Sequence, residues 1–465
     1  MSSTGNLQTE ILKHNALNHA ESQPVYVTKV EVNGGSNFSR QFFQKLLAPV
    51  VEHSDYTLAQ LLAHVNECRA NLDKTHAFLK VVPSLHIDYT HPTPTAKSYN
   101  LDRSLLTKVV FDLDADEQKV GEVSLGFNTE ENLAVNLGYT NNNFNRNAEL
   151  VQIGVNYRPY KPSEHLILKI RMESGLRDPS FAFVTELYNT HENNQVWHHN
   201  SAKSLGGLIG INYTSTKNAF SVFNGYALSR RCLYDFDQLE VSAAVKRFGG
   251  DYLKSSIVSR LSFSNVDSLK SALPSSGSSI EVSNEIVSEQ NQLKLEELPA
   301  IWIKTSAACN VFKSFYNGTY TSHFFGEAGN ISSADKSRVH VSDLFYLGGF
   351  GSFPGFSRNS VQVNGGTQFY KVGATLYSRL PFAKRLDNDI NPLRCFVTGM
   401  VGNVSDNITK DSGVISTGVG LRYFNKWVKL DAGYYLALRL NSEHDIGVRD
   451  GFQFEISIGG ANQKE

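Results

Sequence analysis

From residue 119 onward the chain follows one rule: large apolar residues alternate with small or polar ones. Leu133, Val135, Leu137 and Tyr139 interleave with Ala134, Asn136, Gly138 and Thr140. Val151, Ile153, Val155 and Tyr157 interleave with Gln152, Gly154 and Asn156, and Leu166, Leu168, Ile170 and Met172 with Ile167, Lys169 and Arg171. The end of the chain keeps the rule, with Phe452, Phe454, Ile456 and Ile458 set against Gln453, Glu455, Ser457 and Gly459. A period of two puts alternate side chains on opposite faces of a strand, so this part of the chain is expected to be all β.

A soluble sandwich alternates too, burying its apolar face on a second sheet. Three features favour a transmembrane β-barrel instead. The pattern recurs in more segments than one sandwich holds. The polar face is rich in glycine and carries charges of both signs, as a wet or crowded lumen would. Tyr139, Tyr157, Tyr423 and Trp427 stand at strand ends, where an aromatic girdle lies. A closed ring also pairs every backbone group within lipid. Roughly fifteen to seventeen antiparallel strands can be segmented, with 204–263 ambiguous, and an even count of about sixteen is expected.

A different unit precedes the barrel. Residues 25–32 form a strand pattern, and Phe42, Phe43, Leu46 and Leu47 lie on one side of a short helix that ends near Pro49. Leu58, Leu61, Leu62, Val65 and Leu72 have helical spacing, and Thr57 with Gln60 makes a capping box. Two strands follow, separated by the Pro/Thr-rich stretch 90–100. The expectation is a flexible segment 1–24, a small β-α-α-β-β domain over 25–116, a barrel over 117–460 and a tail over 461–465.

Much is disfavoured. A net charge of -1 gives no hint of a nucleic-acid partner. Cys68, Cys232, Cys309 and Cys395 are far apart and form no metal motif. The pair His198-His199 reads as loop, so no metal and no cofactor is expected. Neither a Ser/His/Asp arrangement nor a carboxylate pair stands out, so an enzyme is not expected. No apolar run is long enough for a membrane helix. The first residues lack the apolar core of a secretory signal. A barrel without one points to the mitochondrial outer membrane.

One segment breaks the alternation: "LFYLGGFGSFPGF", residues 344–356, uncharged, aromatic and glycine-rich. It should dock inside something, and a loop over 330–365 is assigned around it. Its run Phe345, Tyr346, Leu347, Gly348, Gly349, Phe350, Gly351, Ser352, Phe353, Pro354, Gly355, Phe356 resembles the signature loop of mitochondrial members of the Omp85 family. Asp267, Leu273, Pro274 and Gly277 resemble a family turn, and Leu376, Tyr377, Leu380, Pro381 and Phe382 a family strand end. Arg449, Gly451, Phe454 and Ile456 resemble a β-signal.

The resemblance implies one POTRA domain, facing the intermembrane space, before the barrel. It implies insertion and assembly of β-barrel precursors in the mitochondrial outer membrane. The gate would lie between a first strand carrying Val120, Gly121, Val123, Leu125 and Gly126 and a last strand carrying Arg449, Gly451, Phe454 and Ile456. Implied partners are β-barrel precursors (porin, Tom40-like), peripheral metaxin-like subunits on the cytosolic face, and the lipid bilayer. A passive metabolite pore and an Omp85-type translocase are the alternatives. Two departures stand out. Pro354 occupies the place of the family's loop arginine, leaving Phe353, Phe356 and Arg358 to hold the loop. In "NFNRNAE", which keeps Asn143, Phe144, Ala148 and Glu149, Arg146 stands where the family has glycine.

Overall fold

The computed structural model describes residues 21–75, 77–90, 104–130, 132–161, 164–215, 219–269, 273–293, 296, 298–380, 391–408, 413–425, 427–440 and 447–460. The segment 1–20, most of the Pro/Thr-rich stretch, Pro381, Phe382 and the tail 461–465 lie outside the described residues. The chain divides into two compact units. One is Met1–Lys119 with Asn141–Val151 and Ser174–Ala182; the other is Val120–Thr140, Gln152–Glu173 and Phe183–Glu465.

In the first unit, strand β1 (Pro24–Asn33) leads to helix α1 (Arg40–Leu46). The Ser39 side chain caps it by accepting the Phe42 N–H at 3.1 Å. Leu47 leaves helical geometry, and a separate turn of helix, α2 (Ala48–Val51), starts there with Pro49 inside its first turn, where a missing N–H costs nothing. A three-residue strand β2 (Asp55–Thr57) precedes α3 (Leu58–Asp73), whose Thr57/Gln60 capping box is formed in both directions. Strands β3 (Phe78–Ile87) and β4 (Leu105–Ala115) complete a sheet of order β2-β1-β4-β3, with β1 and β4 parallel. The β-α-α-β-β order is thus present with two short additions, α2 and β2, too brief for any periodicity to show. Pro83 falls on β3, an edge strand, where its lack of an N–H is tolerated. Leu61, Val65, Cys68 and Leu72 of α3 are buried in a core with Val25, Val27, Val109 and Phe111.

Seventeen strands make the ring: β5 (Lys119–Asn128), β6 (Asn132–Phe144), β7 (Glu149–Arg158), β8 (His165–Gly175), β9 (Phe181–Asn193), β10 (Ser201–Thr214), β11 (Phe220–Tyr234), β12 (Gly250–Ser264), β13 (Asp267–Ser268), β14 (Pro274–Asn291), β15 (Ala300–Phe315), β16 (Tyr320–Ser333), β17 (Gln368–Arg379), β18 (Leu393–Ser405), β19 (Val414–Phe424), β20 (Val428–Arg439) and β21 (Gly451–Gly460). Sixteen are long. The two-residue β13 only adds an arm to β14, since β12 pairs with β14 directly. The ring closes by antiparallel pairing of β21 with β5. The ambiguous stretch 204–263 resolves into most of β10, β11 and β12, with a helical turn, Ala243–Lys246, before β12. Residues 330–333, assigned to the loop from sequence, instead extend β16: Asn330 to Ser333 face Thr305 to Trp302, and Ile331 is buried inside. The loop proper is 334–367.

The alternation has a direct spatial meaning. Large apolar residues such as Leu137, Ile153, Leu228, Val372, Leu436 and Phe452 stay exposed on the outer wall. That much exposed apolar surface is the mark of a lipid-facing barrel. The inner wall takes polar residues together with a share of the glycines. Gly418 and Gly433 lie under the Tyr435 ring, where a Cβ would come within 2.3 and 3.0 Å of it. The β6–β7 turn holds Asn145 and Arg146 at φ 56 and 62. Position 146 therefore adopts a conformation that favours glycine, although arginine occupies it. The Asn143 side chain steadies the turn by accepting the Ala148 N–H at 3.1 Å.

Replacing Leu61 with alanine removes a wholly buried side chain of α3 and should destabilise the N-terminal unit by about 2–5 kcal/mol. Limited proteolysis should then cut that unit faster while the barrel fragment survives. Equal cleavage rates in both proteins would contradict this.

Candidate functional site

The ring's closing pair is short. Glu455–Gly460 face Asn128–Val123, six residues on each strand. The pairing of β20 with β21 runs over eight, and β14 with β15 over fourteen. Val123 and Leu125 point outward beside Ile458, while Gly126 faces Ser457 on the inner wall. Val120 and Gly121 precede the paired stretch. At the other end the Phe454 carbonyl accepts the Thr129 N–H at 3.1 Å. Ile456 pairs with Phe127, whose ring lies 5.8 Å from that of Phe454. Gly451 opens β21 at φ +128, which a side chain would disfavour. Arg449 lies in the lead-in rather than in the strand.

Gly121 and Gly451 have open space around the position of a Cβ, and Gly126 has only Ala134 near it at 3.8 Å; Gly459 alone is tight, 2.4 Å from Ser124 Cβ. Three of the four seam glycines are therefore not there to make room. They leave the closing strands thin and weakly packed.

The loop 334–367 folds into the lumen. Phe353 and Phe356 are fully buried, and Leu347 nearly so, in a cluster with Trp302, Ile331, Val404 and Val414. Gly348, Gly349 and Gly355 all have positive φ, and a Cβ on Gly348 would lie 2.3 Å from the Ser357 carbonyl oxygen. Pro354 is buried, and its carbonyl accepts the Ser416 hydroxyl at 2.5 Å. Arg358 is half-buried with its backbone against Gly349.

An arginine from the barrel wall also holds the loop. Arg439, on β20, donates to the carbonyls of Val361 and Ser360 at 3.0 and 2.7 Å, and its guanidinium lies 5.4 Å over the Phe356 ring. Nothing in the local sequence distinguishes Arg439 as a loop ligand, because its role depends on a non-local approach.

A second anchor was also missed. Asp343, just before the signature run, is bonded by Arg231 of β11 at 2.6 Å and by Lys254 of β12 at 2.8 Å, and its carbonyl accepts from Lys304 of β15. Arg231 also pairs with Glu289 of β14 at 2.5 Å, and Lys254 with Glu285 at 2.8 Å. Burial alone would raise the Asp343 carboxyl, but Arg231 and Lys254 hold it well below the carboxylate range. In strand order this anchor lies opposite the seam.

Two histidines complete the loop's seating. His340 is fully buried between Phe248 and Tyr252, with ring centroids 5.1 and 5.0 Å away. His198 stacks on Trp197 at 4.0 Å and meets Tyr346 edge-on. Burial, reinforced by Arg231, pushes His340 well below its usual value, and burial pushes His198 down to about 4. Neighbouring His199 lies 3.2 Å from Glu240, and these two bring ligand atoms within 4.8 Å of Asp237. Asp237 also accepts the Leu239 N–H at 3.0 Å.

Two expectations follow for the loop. Phe356→Ala should loosen it by about 3–5 kcal/mol and Arg439→Ala by less, both read as faster hydrogen exchange over 344–361. Unchanged exchange in Phe356→Ala would refute ring packing as the anchor. Both histidines are neutral when seated, and a released histidine takes a proton below about pH 6.5. Their contribution is therefore complete above that value and lost as pH falls below it. After correction for intrinsic rates, exchange over 340–347 should be faster at pH 5.5 than at pH 7.5; equal protection would remove the histidines from the account.

Comparison with known proteins accords with this geometry. The Omp85 superfamily domain matches residues 86–459. The sorting assembly machinery 50 kDa subunit of Saccharomyces cerevisiae is 27% identical over 204 residues, 40% of this chain. That match spans 39% of the yeast protein's own length. Among solved structures, BamA from Haemophilus ducreyi lacking POTRA domains 1-3 shares the fold with a TM-score of 0.72 at 13% identity, covering 94% of this chain and 84% of that one. CdiB from Acinetobacter baumannii gives 0.58 at 12% identity, covering 94% and 74%. With its barrel, its preceding α/β unit and its signature loop all inside or beside the matched region, the chain belongs to the Omp85 superfamily.

Proposed function

We propose that this protein inserts and assembles β-barrel precursors into the mitochondrial outer membrane, through a lateral gate between β5 and β21. The observation that carries the reading is the six-residue closing pair. A precursor's terminal strand presents N–H and C=O groups that lipid cannot satisfy. The β5 edge offers the matching row once β21 withdraws, and strand addition replaces the pairs that were lost. Outright opening of six pairs at roughly 1 kcal/mol each is offset as the incoming strand pairs. The exchange then needs no nucleotide and no covalent chemistry, so the protein is not an enzyme in this reading.

The yeast relative, a subunit of a sorting assembly machinery, supports both the task and the organelle. Clients would be barrel precursors such as porin or a Tom40-like protein. Metaxin-like subunits would bind on the cytosolic side, and the POTRA domain would face the intermembrane space. A passive pore accounts less well for the lumen, where Leu347, Phe353 and Phe356 of the loop are packed against the wall.

Radiolabelled porin precursor should accumulate unassembled when imported into mitochondria depleted of this protein, while a matrix-targeted precursor is imported normally. Normal porin assembly after depletion would sink the proposal.

A further inference from the structure

The turn after the first barrel strand and the tip of the luminal loop meet at one side chain. Glu130 Oε2 accepts the Phe350 N–H at 3.1 Å. The tip is a closed unit: the Gly349 N–H donates to the Phe356 carbonyl at 3.0 Å, and the Phe353 N–H to the Gly349 carbonyl at 2.8 Å. Its other flank is held by the last strands. Gly355 donates its N–H to Gln453 Oε1 at 3.3 Å, and its carbonyl accepts the Arg449 N–H at 2.8 Å. Ser416 and Arg439 add their bonds on the same flank.

The tip therefore bridges the seam, and its two flanks are unequal. Toward β19–β21 it has several bonds and two buried rings. Toward β5 it is held through the Glu130 carboxylate. Gly349 fits this arrangement sterically: at φ +98, a Cβ there would lie 2.8 Å from Glu130 Oε2. The carboxylate uses the space a side chain would fill.

We infer that the loop tip is a clasp across the seam and that Glu130 is its releasable catch. When β5 parts from β21, the Glu130–Phe350 bond breaks while the loop stays seated on β19–β21, and the β5 edge becomes available. The inference rests on the assembly reading for its purpose, since there the bare edge receives the client strand. Glu130 is a positioning residue: it sets how often the edge is open. Two direct ties cross the seam at the same end, from the Thr129 N–H to the Phe454 carbonyl at 3.1 Å and from Arg449 Nη2 to the Thr129 carbonyl at 3.4 Å. Loss of the catch thus shifts the balance toward opening without abolishing closure.

The test uses the full chain in lipid nanodiscs with no precursor present. Hydrogen exchange of the amides of 123–128 and 455–460 reads the open-to-closed ratio of the seam. Exchange at the Gly355 and Arg449 amides reads the seat of the tip on the last strands. Glu130→Ala should speed seam exchange roughly tenfold, and Glu130→Gln, which keeps an acceptor, should restore much of the protection. Exchange at Gly355 and Arg449 should be equal in all three proteins. Unchanged seam exchange in Glu130→Ala would overturn the clasp, as would faster exchange at Gly355 and Arg449 with it. Precursor assembly is scored separately in mitochondria. A seam that loosens with no change in assembly would retain the catch and count against the assembly reading.

Discussion

Within a bilayer every backbone N–H and C=O must find a partner in the protein, and a sheet can meet that demand only by closing on itself. The whole barrel follows from this requirement. Outward residues are mostly large and apolar because lipid is outside, and polar side chains such as Gln453 turn to the inner wall. Between β5 and β21 the requirement is met thinly: six residues per strand do there what fourteen do between β14 and β15. A membrane barrel built only for permanence would have little reason to leave its closure so short.

The loop is held by chemistry of two kinds. Near the seam it is seated by ring burial, Arg439 and backbone bonds to the strand ends. Away from the seam it is held by Asp343 in a buried set of charges from β11, β12, β14 and β15. Buried ion pairs add little net stability over an apolar substitute, yet breaking one partner is expensive. Such a network specifies where the loop goes more than it strengthens the barrel.

Much of this was legible in the sequence because it is local. Alternation alone separated the outer face, such as Phe452, from the inner face, such as Gln453. Helical spacing and Thr57/Gln60 marked α3. What could not be read was non-local or too short. Arg231, Lys254, Glu289 and Lys304 look like ordinary lumen charges until four strands bring them to Asp343. Arg439 lies more than seventy residues from the loop it holds, whereas the arginine that is local to the loop is Arg358. Strand β2 and helix α2 have too few residues to show a period. The end of β16 lies beside the glycine-rich segment in sequence, and only the ladder to β15 shows that the strand continues through Ser333.

The loop's two anchors have a mechanical consequence. In a ring of sixteen long strands, Asp343 is fixed to the wall opposite the seam, while Gly355 and Phe356 are fixed to the last strands. The loop is then a chord across the lumen. A tie of fixed length limits how far the arc between its ends, here β15 through β21, can spread. Any increase in perimeter at the seam must accordingly be absorbed by the opposite arc, from β5 toward β10, which would flex while the chorded arc kept its shape.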